Sequence, residues 1–290
     1  MKILVPIDIT SYTTNVPEND YPEFSLATTY AFGARVIIAS KHNVYESIAG
    51  GNVGHQPTNG ATDANWYYVG KTNAYKAIDD KVSTQTVSTS TITFEFPTLK
   101  STALAFLNMQ CTSITVEVLN GTDIVYTETQ IGRTRNTNGW YSYFFGEFIY
   151  QKFFLFEHLY NPNGTYMVTV NGTDNKIGVM LRGNIKNFGC TLWNPSITPI
   201  DYSKYTIDQW GETYLKEGNF RLVARGDVVI NTNQLSIVLD TILERRGKLS
   251  LYIPTTVLNF SAVYGYVREP QFVWQSKEKS VYTLDVQGVA

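Results

Sequence analysis

Ser113-Ile114-Thr115-Val116-Glu117-Val118-Leu119-Asn120-Gly121-Thr122-Asp123-Ile124-Val125-Tyr126-Thr127-Glu128 holds two runs rich in β-branched residues around an Asn-Gly pair. Both residues of that pair tolerate positive φ, so the stretch predicts a β-hairpin closed by a type I′ turn. Asn-Gly recurs at 59–60, 138–139, 163–164 and 171–172, where further tight turns are expected. Working outward, strands are predicted at 91–96, 103–107, 140–145, 153–156, 166–170 and 177–181. Their spacing is roughly that of a β-sandwich, about 8–12 residues. Residues from about 88 to 190 therefore read as one antiparallel sandwich.

Beyond the sandwich, Trp193-Asn194-Pro195-Ser196-Ile197-Thr198-Pro199-Ile200 carries two prolines and little periodicity, and reads as a connecting segment. One helix is predicted over 233–246. Capping residues open it, Leu235, Leu239 and Ile242/Leu243 share a face, and Arg245-Arg246-Gly247 closes it. Four strand candidates follow, at 248–253, 263–268, 272–274 and 281–286. On the other side, residues 82–91 read as a Thr/Ser linker or an exposed edge strand. The expected fold is mainly β. It comprises a small N-terminal segment and β module (1–72), a central antiparallel β-sandwich (73–194), and a connecting segment with a C-terminal α+β part (195–290).

Several functions are disfavoured by composition. The 290 residues carry a formal charge of −2, too little positive field to hold a nucleic-acid backbone. The opening Met1-Lys2-Ile3-Leu4-Val5-Pro6-Ile7-Asp8 is too short an apolar run for a signal peptide, and no stretch approaches the ~18 apolar residues of a membrane helix. A product made in the cytosol, with no membrane insertion, is expected. Cys111 and Cys190 lack metal-site spacing and read as two buried thiols. The histidines are only three, His42, His55 and His158, and no local signature of metal, acyl-transfer or nucleotide chemistry is present. No enzyme activity, cofactor or metal is expected, although a pair of glycosidase carboxylates needs no local motif. Asp79-Asp80, beside Asn73 and Thr84, reads as a solvated turn rather than a calcium loop, and His55 reads as a loop residue.

Two resemblances carry the functional reading. Tyr30, Gly33, Val36, Tyr45, Pro57 and Trp66, in that order, resemble the small carbohydrate-binding module found on bacterial chitinases. Phe24 stands near the place of its first Trp, and Ser47 replaces an Ala. In such modules exposed aromatic rings stack on sugars, and beside the resemblance the flat apolar faces and polar tips of Tyr45, Trp66, Tyr67 and Tyr68 make these four glycan- or partner-binding candidates. The same rings can instead fill the core of a module too small to have another. Trp66 leans to core, and Tyr67 and Tyr68 to the surface, because alternation cannot bury all three.

The second resemblance spans about residues 25–290. Its marks are Asn73-Ala74-Tyr75-Lys76-Ala77-Ile78-Asp79, Trp140-Tyr141-Ser142-Tyr143-Phe144-Phe145, Phe188-Gly189-Cys190-Thr191, Asp208-Gln209-Trp210-Gly211, Val263-Tyr264-Gly265-Tyr266-Val267 and Leu284-Asp285-Val286-Gln287-Gly288-Val289. In this order they look like tail proteins of tailed bacteriophages. The resemblance implies a structural tail or baseplate subunit in the virion, made in the host cytoplasm, with a central sandwich of jelly-roll or lectin-like kind and a C-terminal α+β assembly domain, whose partners are other tail proteins and copies of itself. The alternative is a tail-displayed binder of a host surface glycan. A polysaccharide depolymerase is a weaker third reading, without a β-helical repeat to support it.

Overall fold

The computed structural model describes residues 1–10, 12–135, 139–158, 161, 163–193, 195–255, 261–273 and 276–289. Among these, strand outweighs helix by 51% to 11%, so the chain is mainly β. Asn138 and Trp274, part of the predicted turn at 138–139 and strand at 272–274, lie outside the described residues.

The predicted hairpin pairs Ser113–Asn120 with Asp123–Ile131. Asn120 faces Asp123, so the two central turn residues are Gly121 and Thr122, and Gly121 takes φ +66 while Thr122 does not turn positive. Glycine at the first central position is the signature of a type II′ turn, which corrects the expected type I′. Of the other Asn-Gly glycines, only Gly60 has positive φ.

This hairpin belongs to a five-stranded sheet ordered Asp123–Ile131, Ser113–Asn120, Thr165–Asn171, Ile92–Pro97 and Thr13–Thr14. Every second residue of its three central strands is buried, and register stacks them in layers: Val118–Tyr166–Phe96, Val116–Val168–Phe94 and Ile114–Val170–Ile92. Leu104, Phe106, Phe154, Phe156 and Met180 of the second sheet meet these layers and complete the sandwich core.

That second sheet has ten strands, in the order Phe153–Glu157, Ala103–Leu107, Val179–Asn187, Lys2–Ile7, Ser250–Ile253, Val263–Val273, Lys279–Gly288, Phe220–Asn231 and Cys190–Thr191, with Ser196–Asp201 also on Phe220–Asn231. It runs without a break from the sandwich into the C-terminal part. Ala103–Leu107 is apolar throughout because both of its faces are covered. Leu104 and Phe106 enter the sandwich core, and Ala103, Ala105 and Leu107 enter a second cluster with Leu181, Leu251 and Tyr264. Lys2–Ile7 does the same further along, with Leu4 in that second cluster and Ile3 in a third.

The third cluster lies under the predicted helix, observed as Leu235–Glu244 after one 3-10 turn, Thr232–Gln234. Its buried residues are Leu235, Val238, Thr241 and Ile242, while Leu239 and Leu243 are exposed, which moves the core face by about one residue from the sequence reading. No side chain caps its N-terminus.

Further corrections follow from pairing. Residues 140–145 form a short helix, Trp140–Phe145, instead of a strand. With no sheet beside them, they close their backbone hydrogen bonds locally, Tyr143 N–H on Gly139 at 2.9 Å and Gly146 N–H on Ser142 at 3.0 Å. The supposed connector contains the strand Ser196–Asp201, in which Pro199 is tolerated because the strand has a partner on one side only. The separate candidates at 263–268 and 272–274 share one strand, Val263–Val273, with a register shift between Arg268 and Gln271. Thr86–Ser88 pairs with Asn175–Ile177. Cys111 is buried as expected, but Cys190 is exposed.

Candidate functional site

The N-terminal module is a three-stranded antiparallel sheet of Arg35–Ile38, Asn43–Ser47 and Trp66–Lys71. Tyr30, Val36, Tyr45 and Trp66 form a buried apolar cluster in it, with Phe24, Ala34, Ile38 and Tyr68 packed on it. Trp66 is edge-on to Tyr30 and Phe24 at 5.2 and 5.7 Å, and its indole N–H donates to the His55 carbonyl at 2.8 Å. The Tyr45 hydroxyl donates to Thr58 O at 3.0 Å and accepts from Gly60 N–H at 2.9 Å, tying down the 58–60 loop. Tyr45 and Trp66 are thus structural, and the idea that they present faces to a ligand is corrected. Tyr68 is half-buried against Tyr45, and burial raises the pKa of its phenol. Of the four candidates, only Tyr67 lies open, 52% exposed.

Register places Tyr67 beside Glu46, and Glu46 beside Arg35. Arg35 Nε donates to Glu46 Oε2 at 2.8 Å and Arg35 Nη1 to the Tyr21 hydroxyl at 3.0 Å, with the guanidinium 5.7 Å from the Tyr21 ring centre. Hydrogen bonds to Tyr21 and Glu46 raise the Arg35 pKa further. The result is an outward row, Tyr21–Arg35–Glu46–Tyr67, with a tyrosine at either end of an ion pair. Sequence reasoning missed Tyr21, Arg35 and Glu46. The pairing of Arg35 with Glu46 follows only from register, and Tyr21 reaches the row from outside the sheet.

Two other groups of aromatics project from the body. Arg133–Arg135 pairs with Phe148–Tyr150 as a ribbon topped by the helix Trp140–Phe145, in which no residue is buried. Trp140 is 83% exposed, and Tyr141, Tyr143, Phe144 and Phe145 are also open. Arg133 and Arg135 stack on Phe148 at 3.9 and 4.2 Å, and Arg135 donates to the Tyr143 and Phe144 carbonyls at the helix C-terminus, where a cation is favoured. The second projection is a ribbon of Lys204–Ile207 and Thr213–Lys216 whose eight strand residues are all exposed. Both were unforeseen as projections, although Trp140–Phe145 and Trp210 stood among the marks of the second resemblance.

The polar groups with chemical potential are occupied in holding loops. Asp79 accepts from the Thr84 hydroxyl at 2.7 Å and Lys81 N–H at 3.0 Å, and burial raises its pKa. Asp80 accepts from the Tyr264 hydroxyl at 2.7 Å. His42 lies 2.7 Å from Glu18 and stacks on Tyr75 at 3.6 Å, and His55 lies 3.2 Å from Asn52 Oδ1. Among the described residues, no three His, Cys, Asp or Glu side chains gather as a metal-binding group. A cavity of about 450 Å³ opens at the foot of the second ribbon, between Leu107, Phe153, Arg221 and Tyr264. No family model, curated protein or solved structure matches the chain.

Proposed function

We propose that this chain is a structural subunit of a bacteriophage tail or baseplate, acting through contacts with other tail proteins and with copies of itself. The observation that carries the reading is the pair of aromatic projections, in residues 133–150 and 204–216, in which Trp140, Tyr141, Phe145, Tyr205, Trp210 and Leu215 stand largely exposed among the described residues. Exposed apolar area of this kind on an isolated subunit marks an interaction surface, and Trp, Tyr and Phe with flanking Arg are the residues most enriched at interfaces. Two marks of the tail-protein resemblance, Trp140-Tyr141-Ser142-Tyr143-Phe144-Phe145 and Asp208-Gln209-Trp210-Gly211, sit on these projections, which supports the same reading. Immunogold labelling with an antibody to the chain should decorate the tails of tailed particles from the producing culture. Labelling of no particle, or of heads alone, overturns the assignment.

A second reading, a tail-displayed binder of a host glycan, is favoured by the row Tyr21–Arg35–Glu46–Tyr67. It combines flat rings with an ion pair able to hydrogen-bond hydroxyls. A glycan array probed with the full chain tests it. Under this reading Tyr67→Ala abolishes the signal and leaves the melting temperature unchanged, and an array blank with the unsubstituted chain ends it.

A further inference from the structure

The cavity of about 450 Å³ at the foot of the 204–216 ribbon is walled largely by the ten-stranded sheet. Leu107 and Phe153 belong to the two strands that open the order of that sheet, and Phe220, Arg221 and Leu222 to its next-to-last strand. Ala103–Leu107 and Phe220–Asn231 are six strand spacings apart in that order, which is about 29 Å in a flat sheet. Both can line one cavity only because the sheet curls round it. The mouth of a barrel-like sheet is a common place for a small-molecule site, and the volume falls within the ~300–1,000 Å³ of such sites.

Floor and mouth differ in character. Leu107, Phe153, Ala262, Val263 and Tyr264 are buried, and the Tyr264 hydroxyl is taken up in donating to Asp80 at 2.7 Å, so the inner wall is apolar. Asn108 Nδ2 is likewise committed to Val82 O at 2.7 Å. Lys152, Glu217, Asn219 and Phe220 are exposed, and Arg221 is half-buried. Two cations thus line the cavity with one carboxylate. Among the described residues, none of Lys152, Glu217 and Arg221 is in an ion pair, and Arg221 Nε is buried with no hydrogen-bond partner. A buried guanidinium nitrogen without an acceptor is costly. The group that suits it best is a carboxylate, whose two oxygens match the planar fork.

We propose that this cavity binds a small amphiphilic carboxylate, its apolar body against Leu107, Phe153 and Tyr264 and its carboxylate on Arg221 and Lys152. A neutral apolar ligand would leave Arg221 Nε without an acceptor, and a cationic one would meet two like charges. The proposal stands apart from the assembly reading, because it uses neither aromatic projection.

Isothermal titration calorimetry of the full chain with octanoate, octan-1-ol and octyltrimethylammonium tests it, since the three share one alkyl chain and differ in head-group charge. Octanoate should bind one per chain, at least tenfold more tightly than octan-1-ol, and octyltrimethylammonium should give no binding heat. Arg221→Gln should weaken octanoate at least tenfold and bring it to the level of octan-1-ol. Lys152→Gln, at an exposed position that the fold does not depend on, should weaken it at least threefold and keeps the test open if Arg221→Gln does not fold. Lys100→Gln, an exposed cation outside the cavity, should leave the affinity unchanged. No binding of octanoate overturns the proposal, as does octan-1-ol binding equally well, or an octanoate affinity that Lys152→Gln leaves unchanged. Several octanoates per chain, bound as well in Lys152→Gln as in the unsubstituted chain, would place the binding on the exposed aromatics and overturn it too.

Discussion

Trp66 and Tyr67 are neighbours in one strand with opposite fates, because successive side chains of a strand point to opposite faces. Trp66 is the largest member of a four-residue buried cluster, so Trp66→Ala should cost about 3–5 kcal/mol and unfold the N-terminal module. Tyr67→Ala should leave the thermal midpoint within error, and equal losses from the two would contradict the assignment. That one of the adjacent aromatics had to be buried was legible from alternation. Burial of Tyr45 was not, because its role depends on the 58–60 loop folding back over its hydroxyl. Asp63 should make the same module sensitive to acid. Although partial burial opposes ionisation, N–H groups of Asn65, Thr58 and Trp66 at 2.8–2.9 Å hold its pKa below the usual carboxylate range. A depressed folded pKa contributes stability that is present above the unfolded value, about 3.9, and is lost as pH falls through the folded one. Acid unfolding of the module below about pH 4 should therefore be blunted in Asp63→Asn, followed by Trp fluorescence. Identical acid midpoints would count against this role.

At the scale of elements, strands with strict alternation and a tight turn were the most legible. The hairpin 113–131 is present because Ile114, Val116 and Val118 must share a face, whatever the turn type. The helix was legible in place but not in facing. Leu235, Leu239, Ile242 and Leu243 lie within one broad stripe, and only the sheet beneath decides which edge of it is covered. Leu235→Ala should therefore cost about 2–5 kcal/mol, whereas Leu243→Ala, at an exposed position, should cost under about 1 kcal/mol. Chemical denaturation that reversed this order would refute the observed packing. Residues 140–145 were illegible for a physical reason. Six residues without a polar alternation carry neither the period of a strand nor that of a helix, and their backbone conformation follows from having no neighbouring strand.

For the whole molecule, the least legible feature was the strand Lys2–Ile7. It pairs with Val179–Asn187 on one side and with Ser250–Ile253 on the other, and its two faces enter different clusters. Nothing in Ile3-Leu4-Val5 itself says which distant strands it joins, since register between remote segments is set by the surfaces they bury together. The sheet that results carries the sandwich and the helix layer on one frame and leaves the aromatic side chains of both projections exposed. Hydroxyl-radical footprinting read by mass spectrometry, on the free chain and on the chain within assembled tail particles, tests this account most directly. Trp140 and Trp210 should be oxidised readily in the free chain and strongly protected in the particle, while buried Trp66 stays protected in both. Equal oxidation of Trp140 and Trp210 in the two states would contradict the claim that these projections are assembly surfaces.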